Sequence, residues 1–193
     1  MITAIVLAAG ISRRMGTPKQ LLMYKGRPLL RHVVENLLQS RVDEIMVVLG
    51  YQATEVAEVL NGLPVRIMIN QDYTCGQSTS VKSGLTALHP ADSDRLGVLF
   101  VLGDQPLVKP ETINLLIDHY RQHGGIIAPY YQGVRGNPVL FDQKFFSEFQ
   151  ALTGDAGARE IISRHPEDLW KVEVPDKGVL QDIDTLEDYR KLT

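Results

Sequence analysis

The stretch Ile2-Thr3-Ala4-Ile5-Val6-Leu7-Ala8, running into Ala9 and Gly10, decides the fold. It is a nearly continuous apolar run rich in β-branched residues, and it stops at a glycine, as a strand buried on both faces does. Two-sided burial demands cover on each face, and the chain downstream supplies it. Pro28 opens a helical pattern in which Leu29, Val33, Leu37 and Leu38 share a face, and the next apolar strand spans Ile45 to Leu49. The alternation repeats with helix over Thr54–Leu60, strand over Val65–Ile69, helix over Ser78–Leu88 and an apolar strand over Val98–Leu102. Helix follows over Glu111–His123, then short strands at Ile126–Pro129 and Val139–Phe141. Beyond Phe141 the pattern loosens into helical stretches at Gln143–Leu152 and Ala156–Arg164, a strand at Leu169–Val174 and a last helix from Thr185. Strands alternating with helices predict a three-layer α/β/α fold, a single domain over residues 1–193 with a mostly parallel central sheet. Ligands of such sheets sit beyond the carboxyl ends of the strands. The loops after Leu7 and after Leu102 both fall there.

Composition narrows the function classes. The 193 residues carry a net charge of -3, so no global basic field marks a nucleic-acid partner, and an anionic substrate must be held by local groups. The single cysteine, Cys75, excludes an intramolecular disulfide and a multi-cysteine metal site. No apolar run approaches the ~20 residues of a membrane-spanning helix. The apolar N-terminus is short and lacks the basic flank of a signal peptide, so the chain reads as cytoplasmic, with no membrane partner.

Directly behind the first strand, Leu7-Ala-Ala-Gly-Ile-Ser-Arg-Arg-Met-Gly-Thr-Pro-Lys19 combines glycines, a serine and three basic side chains. Glycines let backbone N–H groups approach phosphate oxygens, while Arg14 and Lys19 would neutralise a leaving pyrophosphate. Lys19 reads as a surface-loop residue that carries little folding energy. Gly16 is followed by Thr-Pro-Lys, so this is neither a Walker A loop nor a Gly-x-Gly-x-x-Gly fingerprint. Asn70-Gln-Asp-Tyr-Thr-Cys-Gly-Gln-Ser-Thr-Ser80 is a polar loop entering a helix, suited to an uncharged polar group or to plain helix capping. Asp104, at the end of the strand Val98–Leu102 and after the permissive Gly103, stands where it could hold a cation against phosphates or simply cap a turn. Asp182 and Asp184 would point the same way in extended chain. His119 and His123 are spaced i, i+4, but the intervening residues lack the glutamate of a zinc hydrolase helix.

The first loop resembles the Leu-Ala-Ala-Gly-x-Ser-x-Arg-Met-Gly-x-x-Lys signature of nucleotidyltransferases with the glycosyltransferase-A-like, nucleotide-diphospho-sugar transferase fold. Its extension Pro18-Lys19-Gln20-Leu21-Leu22, with Gly103-Asp-Gln-Pro106 and Gln181-Asp-Ile-Asp-Thr-Leu-Glu-Asp-Tyr189, is similar to the molybdenum cofactor cytidylyltransferases. Leu186 stands where that family usually has proline, and Asn137 where it often has histidine. The resemblance implies transfer of CMP from CTP to a molybdopterin-type phosphate acceptor, with release of pyrophosphate. Leu7, Ala8, Ala9, Gly10, Arg14, Gly16 and Lys19 would hold the triphosphate, and Asn70, Gly76 and Ser80 the base side. Asp104 and Asp184 would share one Mg2+, and Arg14, Lys19, Asp104 and Asp184 would be the catalytic set. Arg135, Asn137, Asp155 and Arg159 are the acceptor-side residues. A GTP-using enzyme, a polyol- or sugar-phosphate acceptor, and a non-catalytic accessory protein delivering cofactor to a molybdenum hydroxylase client are the other readings that the same motifs allow. Ala9, where the GTP-using relatives carry glycine, should crowd a purine.

Overall fold

The structure, a computed structural model, describes residues 1–12, 15–88 and 97–192. In chain order it contains β1 (Ile2–Ala8), β2 (Met23–Tyr24), β3 (Arg27–Pro28), α1 (Leu29–Leu38), β4 (Glu44–Leu49), α2 (Ala53–Glu58), β5 (Arg66–Ile69), α3 (Gln77–Thr86) and β6 (Gly97–Leu102). These are followed by α4 (Pro110–His123), β7 (Ile126–Tyr131), β8 (Val134–Arg135), β9 (Val139–Asp142), α5 (Phe146–Ala151), α6 (Ala158–Arg164), β10 (Leu169–Glu173) and α7 (Leu186–Leu192).

One sheet runs β10-β7-β9-β6-β1-β4-β5, with β8 paired to β7. β1 lies inside the sheet, parallel to both its neighbours β4 and β6, and β5 extends the parallel block. β9 enters through the hairpin-like β8 turn without a crossover helix, so it runs antiparallel to both β6 and β7. The mostly parallel α/β fold predicted from the alternating elements is the one observed.

Alternation along each strand divides the core in two. Ala4 and Val6 of β1, Val47 of β4 and Leu99 and Val101 of β6 face one layer, where α1, α2 and α4 contribute Leu30, Val33, Val56, Ile113 and Leu116. Ile5, Val48, Val98 and Phe100 face the other, against Val81 and Leu85 of α3, Phe149 of α5 and Ile161 of α6. The central strands are thus apolar along nearly their whole length, Thr3 and Glu44 excepted, while each layer receives alternate residues.

Three sequence expectations shift. Leu38 is 37% exposed, because the buried face of α1 is the i, i+4 pair of rows Leu29–Val33–Leu37 and Leu30–Val34. The hairpin of β2 and β3, turning at Lys25 and Gly26 with positive φ, was not legible in strands of two residues. The stretch Gln143–Leu152 divides into a 3-10 turn at Gln143–Phe145 and the helix α5.

Candidate active site at the strand ends

β1 and β6 end side by side, and their close approach builds the site. Gly103 donates its N–H to Leu7 O at 3.1 Å, and a Cβ on Gly103 would lie 2.9 Å from that of Ala8. A glycine there lets Asp104 follow directly on the strand end beside the first loop. That loop is shaped from within by Gln20, which is almost fully buried and donates from Nε2 to Ala8 O at 2.8 Å. The backbone N–H of Lys19 donates to Ser12 Oγ at 3.1 Å, which aims the lysine back across the strand ends.

Lys19 Nζ donates to the Asp104 carboxylate and, at 2.8 Å, to Asp184 Oδ1. Its side chain is only 16% exposed, so Lys19 is a half-buried counter-ion and not the surface-loop residue its sequence position suggested. Burial opposes its charge, but Asp104 and then Asp184 outweigh burial and hold its pKa above the usual lysine value. Asp104 Oδ1 is buried and has no hydrogen-bond partner among the described residues. Two hard carboxylates, one with an unpartnered oxygen, are the donor chemistry that Mg2+ takes, so the residues present fit the ion.

The C-terminal segment reaches this place by specific bonds. Ile183 N–H donates to Asp104 O at 3.1 Å, and the Gln105 carboxamide donates to Val179 O at 3.3 Å and to the Asp182 carboxylate. Burial, then repulsion from Asp104, raises the Asp182 pKa against the Gln105 hydrogen bond. Upstream, the buried Asp176 accepts from Lys109 N at 2.9 Å, Thr112 Oγ1 at 2.8 Å and Gly178 N at 2.9 Å. It thereby caps α4 from a distant part of the chain. The expected pair Asp104 and Asp184 is therefore brought together, on one ammonium. Gln20, Gln105, Asp176 and the docking role of Asp182 had no assignment from sequence; buried glutamines within the quoted motifs were the only signal.

Two clefts open over the strand ends. The first, of about 580 Å³, is lined by Leu7, Ala8, Ala9, Gly10, Lys19, Gly76, Ser80 and Asp104 among others. The second, of about 730 Å³, gathers Arg135, Asn137, Asp155 and Arg159 with Asp182. Both clefts share Leu7, Leu102, Gln77 and Asp155, so Asp155, expected on the acceptor side alone, faces both. Asp184 is outside both linings and enters through Lys19. Asn70 is also outside them: it is buried, and its Nδ2 donates to Thr79 Oγ1 at 2.8 Å and Ser80 Oγ at 3.0 Å, so it shapes the loop that Ser80 presents. Gly16 sits in a turn, away from the linings of both clefts. Arg14 lies outside the described residues. Ala9 is 5% exposed, lines the first cleft, and has its methyl 2.9 Å from where a Cβ on Gly50 would stand. His123 stacks on Trp170 with ring centroids 4.1 Å apart.

An open parallel sheet with a glycine loop, a lysine and two aspartates at adjoining strand ends defines a class of nucleotide-handling α/β proteins. Residues 4–169 match the MobA-like NTP transferase domain, and the chain belongs to this family of nucleotidyltransferases. It is 31% identical to the nicotine blue oxidoreductase of Paenarthrobacter nicotinovorans, over 99% of this chain and 96% of that protein. It is 28% identical to the molybdenum cofactor cytidylyltransferase of Escherichia coli strain K12, over 97% of this chain and 93% of the relative. Among solved structures, Rv0371c from Mycobacterium tuberculosis H37Rv superposes with a TM-score of 0.86 at 32% identity, covering 99% of this chain and 96% of that one. A manganese complex of Rv0371c matches with a TM-score of 0.83 at 29% identity over 99% and 96% of the two chains. The nucleotidyl transferase Mth528 of Methanothermobacter thermautotroptrophicus matches at 0.84 with 28% identity, over 100% of this chain and 95% of the other. No helix among the described residues is long and apolar enough to cross a membrane.

Proposed function

We propose that this nucleotidyltransferase moves CMP from CTP to the terminal phosphate of a molybdopterin-type acceptor, with Mg2+ at Asp104 and Asp184. The observation that carries the reading is the placement of Lys19 and Asp104 on a cleft, with Asp184 bonded to Lys19 from outside its lining, beside a second cleft that shares part of its wall and bears Arg135 and Arg159. The first cleft offers backbone and lysine donors to a triphosphate, and the second offers two guanidiniums to an anionic acceptor. An acceptor phosphate oxygen attacks the α-phosphorus, the new O–P bond forms, and the bridging α–β bond breaks with its electron pair leaving on pyrophosphate. A phosphate monoester is already largely ionised at neutral pH, so no strong general base is required. Asp104 and Asp184 would hold Mg2+, which would neutralise charge on the phosphates. The manganese complex of Rv0371c supports a divalent-cation role in this family.

Cytidine as the base, and molybdopterin as the acceptor, rest on the resemblance of the Pro18-Lys19-Gln20 and Gly103-Asp-Gln-Pro106 motifs and on the cytidylyltransferase relative. The deciding experiment is pyrophosphate release from each of the four nucleoside triphosphates, with Mg2+, in the presence and absence of molybdopterin. Release with CTP and molybdopterin together is expected. Equal or better use of GTP overturns the base assignment, release with a sugar phosphate in place of molybdopterin overturns the acceptor, and nucleotide binding without release points to an accessory protein.

A further inference from the structure

Two clefts that hand one group from one ligand to another must meet where the bond changes. Four residues are common to both walls: Leu7, Leu102, Gln77 and Asp155. Two are apolar and one is an anion, which phosphate oxygens repel, so among the described residues Gln77 is the sole neutral side-chain donor in the shared wall. Lys19 lines the first cleft only, and Arg135 and Arg159 the second only.

The chain is built to put Gln77 there. Gly76 has φ 105°, and a Cβ on it would lie 2.3 Å from the backbone of Gly154, so only glycine lets the two loops cross at this distance. Ser78 N–H then donates to Gly154 O at 3.0 Å, tying the start of α3 to the loop that carries Asp155. A Cβ on Gly157 would lie 2.9 Å from Gln77 Oε1 and 3.5 Å from its Cδ, so the carbonyl end of the carboxamide rests against a loop kept bare of side chain. The amide NH2 is left as the end available to a ligand. Among the described residues the carboxamide makes no hydrogen bond, and its donor is unspent.

We propose that Gln77 is a catalytic residue that donates from Nε2 to a non-bridging oxygen of the α-phosphoryl group during transfer. This rests on the nucleotidyl-transfer reading above. In the step, the acceptor oxygen bonds to the α-phosphorus as the α–β bridge breaks and pyrophosphate leaves; charge redistributes on the α-phosphoryl oxygens, and a neutral donor at the junction counts most at that moment. The other donors of the two clefts stand on one side or the other of the junction.

The test uses the full chain with CTP, Mg2+ and molybdopterin, comparing wild type with Gln77→Ala and Gln77→Glu. Melting temperatures establish folding, calorimetric titration with CTP reads ground-state nucleotide binding, and pyrophosphate release gives kcat and KM. Gln77→Ala should lower kcat about 10-fold, the scale of losing one neutral hydrogen bond, with the CTP dissociation constant little changed. Gln77→Glu keeps the shape but replaces the donor with an anion, and should be slower than Gln77→Ala. A side chain that merely packs against Gly157 predicts the reverse, with Glu near wild type and Ala impaired, and that result overturns the proposal. So does an unchanged kcat in Gln77→Ala, or a loss confined to CTP affinity. Absence of pyrophosphate release by the wild-type protein with any triphosphate and acceptor overturns the transfer reading itself, and is distinguishable because it precedes any effect of the variants.

Discussion

Lys19 is the counter-ion of two carboxylates that come from positions 104 and 184, and its ammonium holds together charges that would otherwise repel across the strand ends. Replacement by methionine, of similar length, leaves Asp104 and Asp184 without it. The pairs are partly open to solvent, which screens them, so the cost should be about 1–2 kcal/mol and not the larger penalty of a fully buried pair. In a chain of this size that is a fall in Tm of about 2–8 °C. Millimolar Mg2+ should then raise the Tm of Lys19→Met more than that of wild type, since a divalent ion can serve both carboxylates; an equal or absent Mg2+ effect in thermal scans speaks against these two aspartates as ligands. Asp104→Asn and Asp184→Asn should each reduce pyrophosphate release by about 10²-fold or more, with the double variant little slower than the worse single, because groups acting as a unit are not additive. Steady-state rates showing fully multiplicative losses would dissolve the unit.

The helix α4 and the segment leading to Asp184 are joined by Asp176, one buried carboxylate that accepts from Lys109 N, Thr112 Oγ1 and Gly178 N. Asp176→Ala strands those donors, Thr112 on the first turn of α4 and Lys109 just before it, and should cost about 2–4 kcal/mol in urea denaturation. Asp176→Asn keeps one acceptor oxygen and should recover part of the loss; indistinguishable midpoints for Ala and wild type would remove the capping role. Such links show where sequence reading reaches and where it stops. The strands β1, β4 and β6 were legible because burial on both faces leaves a nearly continuous apolar run, and α1 because its apolar rows recur at helical spacing. The glycine loop and Asp104 were legible because they directly follow those strands. The meeting of Lys19 with Asp184 joins positions 165 residues apart, and the burial of Lys19 follows from that meeting, which no local spacing encodes. The hairpin of β2 and β3 escaped for the opposite reason, since two residues give an alternating pattern no room to repeat.

Across the whole molecule, the C-terminal ends of β1 and β6 form one floor beneath both clefts, with Leu7 and Leu102 exposed to each. The net charge of -3 supplies no long-range attraction for a polyanion, so recognition of the acceptor has to come from charges inside the second cleft. Arg135 stands on β8 and Arg159 on α6, reaching that cleft from different elements, while neither lines the first. A guanidinium that meets only the acceptor contributes to acceptor binding without changing the grip on the triphosphate. Arg135→Ala and Arg159→Ala should therefore each raise the acceptor KM about 10-fold or more, the scale of one charge-assisted hydrogen bond of about 1.5–3 kcal/mol, while leaving the CTP dissociation constant unchanged. Raising ionic strength should weaken acceptor binding in wild type more than in the double variant, because the screened charges are the ones removed. Steady-state titration of acceptor at two salt concentrations, paired with calorimetric titration of CTP, separates the two clefts. If the arginine variants lose CTP affinity and keep acceptor KM, the assignment of the clefts is reversed.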